Sequence, residues 1–305
     1  MPEVEEPANG QPSAGVHLRR QRAWQHDGMS RGLRAVTGLA ASCHPVPTIA
    51  VTVLSTVLVV AAGNGFWTCV LAAAAVLTGQ LVIGWSNDAI DARRDREAGR
   101  RDKPVALGLV TSRTIWVATA TATAATVPLS LALGWRAGAL AMSVVCWGLL
   151  YNAWLKSTLL SPLPFLLAFG ALPAVATTSL PGHPWPPAWT MVAAGLIGVA
   201  AHFGNVVPDL DDDRLTGVRG LPHVVGRYGS SVLAVGSAFA ATVVAVAVEA
   251  GGPGGLWVLT VAAGAVAGGA LVIGRRDPHS DVVFHATMVI AAIDVALIVV
   301  TDALG

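Results

Sequence analysis

Two acidic stretches of this sequence have residue types and spacings that suit metal binding. The first, NDAIDARRD, contains Asn87, Asp88, Asp91 and Asp95. If it is helical, its three aspartates share one face, because their spacings of three and four residues return to the same side of a helix. Carboxylates aligned in this way repel one another. The spacing therefore predicts a face that needs a cation to neutralise it.

The second stretch repeats this arrangement later in the chain. Asp209 and Asp213 are four residues apart, with further acids at 211–212, and Asn205 precedes Asp209 by the same interval. Each stretch is followed by basic residues and a turn containing Gly and Pro. A single charged segment is most simply explained as a solvated loop, but two matched clusters favour facing metal sites. Because all the candidate ligands are oxygen atoms, we expect Mg²⁺.

The elements that position these clusters are predicted to be membrane helices. The chain is 54% hydrophobic and 12% charged, about half the roughly 25% of charged residues in soluble domains. A membrane span needs about 20 mostly apolar residues. A soluble bundle of buried helices is a poor alternative, since apolar segments follow one another along the chain. Nine spans are predicted, at 45–62, 65–86, 114–134, 137–153, 159–180, 187–207, 230–250, 255–273 and 282–302.

The basic residues predict the orientation of these spans. With nine spans, every Lys and Arg except Arg136 falls on one side of the membrane. Basic loops stay in the cytoplasm, so we expect a cytoplasmic N-terminus, an external C-terminus and both acidic clusters at the cytoplasmic face of the plasma membrane. Residues 1–34 are expected to be a disordered, basic cytoplasmic segment, with residues 28–44 mildly amphipathic. The net charge of +1 gives no indication of a nucleic-acid partner.

The bases interleaved with the acids predict the ligand. Two Mg²⁺ ions and several Arg and Lys side chains around one cavity suit a diphosphate. An apolar helical bundle beneath them suits a long hydrocarbon tail. The predicted ligand is therefore an isoprenyl diphosphate, with its head at the membrane rim and its tail among the helices.

With these motifs, the sequence resembles the UbiA superfamily of intramembrane prenyltransferases. The resemblance is carried by N87-D-A-I-D-A-R-R-D95, by D209-L-D-D-D213 with R214-L-T-G, and by Y151-N-A-W-L-K156. It covers all nine predicted spans and implies an all-α fold in which nine helices form a horseshoe around a central cavity. We expect residues 35–305 to form this domain.

The resemblance also implies roles for individual residues. It leaves Asp212 as an alternative metal ligand to Asp213. For three arginines it allows either a role in diphosphate binding or a role only in membrane topology: Arg93, Arg96 and Arg100. The implied metal ligands are Asn87, Asp88, Asp91, Asp95, Asp209 and Asp213. The implied diphosphate-binding residues are Asn87, Arg94, Arg101, Lys103, Lys156 and Asn205, and the implied catalytic residues are Asp91, Asp209, Tyr151 and Lys156.

The implied reaction is Mg²⁺-dependent transfer of an isoprenyl group to an aromatic or lipid-soluble acceptor, with release of diphosphate. A terpene cyclase on the same scaffold is an alternative, because it ionises the same donor and lets an internal double bond capture the cation. A transporter is a third alternative, and only the intramembrane Asp294 favours it. His202 is predicted to be either a hydrogen-bonded histidine of the bundle or a contact of the acceptor.

Overall fold

The computed structural model describes residues 31–97, 99–100, 103–215, 217–248, 256–277 and 282–300. Within these ranges the regular structure is entirely helical, which confirms the all-α prediction. Most of the predicted N-terminal segment lies outside the described residues; its last four, 31–34, begin the first helix. The helices are α1 (Arg31–Ser42), α2 (Pro45–Ala61), α3 (Phe66–Glu97), α4 (Ser112–Leu131), α5 (Trp135–Ala153), α6 (Leu163–Thr178), α7 (Ala188–Val206), α8 (Leu210–Leu215), α9 (Leu221–Val248), α10 (Leu256–Arg276) and α11 (Val282–Val300).

Each of the nine predicted spans coincides with one helix, but the count of nine spans is not confirmed. In the described part, six helices are long and apolar enough to cross a membrane: α3, α4, α7, α9, α10 and α11. The α1–α2 pair, bent by 61°, makes a seventh if it is one span. The helix α6 has only 16 residues, fewer than the 20 or so that a perpendicular span needs.

Small residues let these helices pack closely. The α6–α7 interface is so tight that a Cβ atom at Gly198 of α7 would lie 2.4 Å from the backbone oxygen of Phe165 on α6. Alanines without solvent exposure, including Ala174, Ala193 and Ala238, fill other parts of the core. Membrane helices associate through such close backbone approaches, since lipid gives no hydrophobic drive between them.

The helices curl around an apolar pocket. The first long helix, α2, contacts both α6 and the last helix, α11. Leu58 of α2, Phe169 of α6, Ile197 of α7 and Val295 of α11 line a pocket between these four helices. The described structure thus has a small apolar pocket among its helices, where the resemblance implies a central cavity.

The helix α3 continues well past the predicted end of its span at residue 86, to Glu97. The first acidic cluster therefore lies on a helix, as its spacing requires. Asp88, Asp91 and Asp95 are all buried, with 2%, 8% and 5% of their surface exposed, so the three carboxylates share the face directed into the protein.

The close contact at Gly198 gives a prediction for stability. We expect Gly198→Ala to destabilise the protein by about 1–3 kcal/mol, because the added methyl group must push α6 away from α7. The matched control is Gly236→Ala on α9, where a Cβ meets nothing within 4 Å and alanine favours the helix. Thermal unfolding in detergent measures both. Equal unfolding temperatures for the two variants would contradict this packing.

Candidate active site

The centre of the site is Asp91, on the last turns of α3. Lys156 places its Nζ 2.6 Å from both carboxylate oxygens of Asp91, and Arg94 Nη2 lies 2.8 Å from Oδ2. The same Nζ is 3.4 Å from Oδ1 of Asn87. These contacts bring together four of the residues that the sequence predicts for metal and diphosphate binding.

Lys156 reaches Asp91 because α5 and α3 are tied together just above the site. A 3₁₀ turn, Leu155–Ser157, follows α5 and carries Lys156. At the end of α5, Asn152 donates hydrogen bonds from Nδ2 to the carbonyl oxygen of Ile83 at 2.8 Å and to Ser86 Oγ at 3.0 Å. Burial lowers the pKa of Lys156, while the nearby Asp91 opposes that shift.

Asp88 is held by a residue that the sequence analysis missed. His44 Nε2 lies 3.1 Å from Asp88 Oδ1, and Lys103 Nζ lies 3.0 Å from the same oxygen. The other carboxylate oxygen, Oδ2, is buried without a hydrogen-bond partner in the described structure. Asp88 thus pairs with bases through one oxygen, while the other has no partner in the described structure.

His44 occupies the corner between α1 and α2. Its φ of 53° and ψ of 71° lie in the left-handed region, which is uncommon for a residue other than glycine. The corner packs tightly on α3, where a Cβ atom at Gly84 would lie 2.5 Å from the carbonyl oxygen of Cys43. No spacing in the sequence relates His44 to Asp88, which lies 44 residues away, so only the folded chain reveals this pair.

The second cluster lies between α7 and α9, around the short helix α8. Asp213 is half-buried, and its Oδ2 is 3.5 Å from His223 Nε2. Asp209 is exposed, with Oδ1 at 3.8 Å from Arg100 Nη2. Asp211 is directed elsewhere and pairs with Arg227 at 2.9 Å. Asn205 is exposed on the last turn of α7.

The two clusters share one electrostatic environment. Arg100 follows α3 in the chain and reaches Asp209 of the second cluster. Burial raises the pKa of Asp213 to about 6, with Asp209 adding to the shift, while Arg100, Arg94 and Lys156 oppose it. Charges from the first cluster therefore act on the second, as expected for facing sites.

The remaining bases divide into two groups. Arg93 forms an exposed pair with Glu97 at 2.8 Å, with 88% of its side chain accessible, and Arg96 reaches Ser112 at 3.5 Å. Both are exposed and pair away from the aspartates of the two clusters. Arg94, Lys103 and Arg100, in contrast, pair with those aspartates. Arg101 and the side chain of Asp212, which the sequence analysis considered as ligands, lie outside the described residues.

Tyr151 is near both clusters and begins a group of aromatic rings. Its ring contacts those of Phe165 and His202 at centroid distances of 5.1 and 5.7 Å. Asp213, Asp91 and Asp209 all lie within electrostatic range of its hydroxyl group. Asp294, by contrast, accepts a hydrogen bond from Thr242 at 2.5 Å, which joins α11 to α9.

The donor atoms of the two clusters fit Mg²⁺ in type. They are carboxylate oxygens, and Oδ2 of Asp88 is a buried acceptor without a partner. The described part contains no group of three His, Cys, Asp or Glu side chains arranged as a metal centre. Mg²⁺ uses one or two carboxylates and completes its shell with water and phosphate, so a sparse set of ligands in each cluster suits it.

A helical bundle with two acid–base clusters above an apolar pocket defines a membrane-embedded enzyme. Residues 35–292 match the UbiA prenyltransferase family. The chain belongs to this family; it is a prenyltransferase and a multi-pass membrane protein.

Solved structures of UbiA homologues have the same fold. The homologue from Archaeoglobus fulgidus bound to GPP and Mg²⁺ has a TM-score of 0.66 at 14% identity, over 85% of this chain and 97% of that chain. The same homologue bound to DMAPP and Mg²⁺ gives a TM-score of 0.65 at 15% identity, with the same coverage. The homologue from Aeropyrum pernix K1 has a TM-score of 0.62 at 22% identity, over 82% of this chain and 97% of that chain. Comparison with curated proteins gave no match.

The buried pair at the centre of the site gives a testable prediction. We expect Lys156→Gln to destabilise the protein by about 3 kcal/mol, because it leaves the buried Asp91 without its closest counter-charge. Adding Asp91→Asn should restore most of the loss, since an amide needs no counter-charge. Thermal unfolding in detergent measures the single and double variants.

The exposed pair of Arg93 and Glu97 serves as the control. We expect Arg93→Gln to leave the unfolding temperature unchanged, because water screens this pair. If the double variant with Asp91→Asn were no more stable than Lys156→Gln alone, Lys156 and Asp91 would not be coupled.

Proposed function

We propose that this protein transfers an isoprenyl group from an isoprenyl diphosphate to a hydrophobic or aromatic acceptor and depends on Mg²⁺. The observation that carries the proposal is the buried Asp91, which is paired with Lys156 and Arg94 and lies near the acids of the second cluster. This arrangement gathers oxygen ligands for a metal and cationic groups for a diphosphate in one place.

The solved relatives support this donor. Two structures of the Archaeoglobus fulgidus homologue are bound to DMAPP and to GPP, each with Mg²⁺. Both ligands join a short isoprenyl tail to a diphosphate head. A molecule of this form needs a charged site beside an apolar one, and this chain has both.

Some residues of the site would bind the metal, and others would bind the diphosphate. Asp91, Asp209 and Asp213 would hold Mg²⁺, together with Asn87, the unpartnered oxygen of Asp88 and Asp95. When bound, Mg²⁺ would neutralise the negative charge that develops on the leaving diphosphate. Lys156, Arg94 and Lys103 would donate charge-assisted hydrogen bonds to the diphosphate oxygens. Asn205, at the end of α7, would add a polar contact to the diphosphate.

The tail of the donor would follow the aromatic residues into the bundle. Phe165 contacts Tyr151 at the site, and Phe169 stacks on Phe165 with a centroid distance of 6.5 Å. Phe169 also lines the apolar pocket with Leu172 and Ile197. These residues form a row of apolar side chains between the charged site and this pocket.

Membrane orientation follows from the distribution of charge. The predicted arrangement puts the site, the N-terminus and nearly all the basic residues in the cytoplasm, at the plasma membrane, with the C-terminus outside. Donor and acceptor would then meet at the cytoplasmic rim, with the donor tail and a lipid-soluble acceptor in contact with membrane lipid.

A terpene cyclase is the second candidate. The observation that favours it is the set of rings around Tyr151, because aromatic faces stabilise carbocations. A product equal in mass to the donor minus diphosphate, with no acceptor attached, would identify a cyclase. The transporter alternative no longer applies, because the chain is a prenyltransferase by family and Asp294 has a packing partner in Thr242.

Diphosphate release gives a direct test of the site. With Mg²⁺, geranyl diphosphate and membrane extract as the source of the acceptor, we expect Asp91→Asn and Asp209→Asn each to lower the rate by about 100-fold or more, because each removes a carboxylate ligand of the Mg²⁺ that would stabilise the leaving group. The matched control is Asp211→Asn, since Asp211 pairs with Arg227 outside the site. That variant should retain the rate of the unaltered protein.

Removing the metal completes this test. Chelation of Mg²⁺ should abolish diphosphate release, and added Mg²⁺ should restore it. Full turnover by both Asp91→Asn and Asp209→Asn would show that the proposed metal site is wrong.

A further inference from the structure

His202 is a buried residue of α7 that the proposed reaction has not yet used. Only 1% of its surface is exposed. Its Nε2 lies 3.1 Å from Ser161 Oγ. Its Nδ1 is buried and has no hydrogen-bond partner in the described structure. One side of the imidazole is therefore fixed, and the other is available to a ligand.

The partners of Ser161 assign the proton on His202. Ser161 Oγ accepts a hydrogen bond from the backbone N–H of Leu221 at 3.2 Å. The acceptor within reach of the serine hydroxyl proton in the described structure is His202 Nε2. We therefore assign Ser161 as the donor to Nε2, which puts the proton of the neutral imidazole on Nδ1. The unpartnered atom is thus a hydrogen-bond donor.

A buried donor without an acceptor is unfavourable, because it has lost its hydrogen bonds to water without replacement. Such a group in a native structure calls for an explanation, and a bound ligand is one. His202 is hydrogen-bonded within the bundle through Nε2, and its unpartnered Nδ1 leaves room for the second predicted role, contact with the acceptor.

The ring of His202 packs beside the ring of Tyr151, at the edge of the charged site. Its ring lies 5.7 Å from that of Tyr151 and 5.0 Å from that of Phe165, centroid to centroid. Tyr151 lies within electrostatic range of Asp91, Asp209 and Asp213. His202 therefore lies where the charged site meets the apolar side chains around Phe165.

We propose that His202, held by Ser161, is a specificity residue that recognises the acceptor by donating a hydrogen bond from Nδ1 to an oxygen atom of that molecule. The aromatic rings around it suit a flat acceptor, and the hydrogen bond selects one that carries a carbonyl, phenolate or hydroxyl oxygen. This inference rests on the proposed transferase function, because a cyclase needs no acceptor.

The test compares two probes that differ only in this oxygen. The probe 1-acetonaphthone carries a carbonyl group where 1-isopropenylnaphthalene carries a methylene group of nearly the same shape. Their binding is measured to the full chain in lipid nanodiscs, with Mg²⁺ and the unreactive donor analogue geranyl thiodiphosphate. Partition of each probe into empty nanodiscs is subtracted.

Two variants separate the two nitrogen atoms of the imidazole. In His202→Gln the amide reaches the position of Nε2, so it keeps a partner for Ser161 but removes the donor at Nδ1. In His202→Asn the amide reaches the position of Nδ1 and restores that donor. We expect the unaltered protein to prefer the ketone by about tenfold, His202→Gln to bind both probes about equally, and His202→Asn to recover a several-fold preference.

The opposite results would overturn the proposal. Equal binding of the two probes by the unaltered protein, no binding of either, or an unchanged preference in His202→Gln would each show that Nδ1 does not recognise the acceptor. A measurement on the unaltered protein covers the case in which the variants fail to fold. The ¹⁵N chemical shifts of His202 must show Nδ1 protonated and Nε2 unprotonated, and the reverse assignment would exclude the proposed donor.

Transfer of the prenyl group from geranyl diphosphate is recorded in parallel without any probe, with membrane extract as the source of the acceptor. Its absence would mean that the proposed function fails, whatever the probe preference. Its presence together with equal binding of the two probes would mean that only the inference about His202 fails.

Discussion

The stability of this structure depends on neutralising the buried carboxylates at the end of α3. Asp88, Asp91 and Asp95 lie on the buried face of α3, where charge is far more costly than in water. Lys156 therefore comes from the turn after α5, His44 comes from the corner between α1 and α2, and Lys103 comes from the segment after α3. Arg94 on α3 itself completes the set. In the proposed function, the cations that stabilise the folded chain are also those that would bind the diphosphate.

Close packing of the helices lets these cations reach the acidic face of α3. Asn152 ties the end of α5 to the backbone of α3, and the corner before α2 rests on Gly84 so tightly that a side chain there would overlap Cys43. These contacts position Lys156 and His44, respectively, against the acidic face. The row of apolar side chains with Phe165 and Phe169 begins beside Tyr151, so the charged and apolar parts of the site meet at one residue. A donor with a charged head and an apolar tail is the ligand that matches this junction.

Much of this account was predictable from the sequence, and the failures have physical causes. Hydropathy located every long helix, and the spacing of Asp88, Asp91 and Asp95 gave their common face. Hydropathy could not decide how many helices cross the membrane, because α6 is short and α1 and α2 meet at a bend. Spacing also could not show that Asp211 pairs with Arg227 outside the site, or that His44 folds back on Asp88, because both pairs depend on tertiary structure. The solvated-loop explanation fails for the first cluster, since its carboxylates are buried.

The central claim is that two acidic clusters from distant parts of the chain form one site for a metal-bound diphosphate. Titration of the purified protein with Mn²⁺, followed by electron paramagnetic resonance with and without geranyl thiodiphosphate, tests it most directly. The account predicts that the protein binds Mn²⁺ and that the diphosphate analogue strengthens this binding. It also predicts weaker Mn²⁺ binding in Asp91→Asn and in a double variant with Asp209→Asn and Asp213→Asn. If the loss of one cluster left diphosphate-linked Mn²⁺ binding intact, the two clusters would not form a single site.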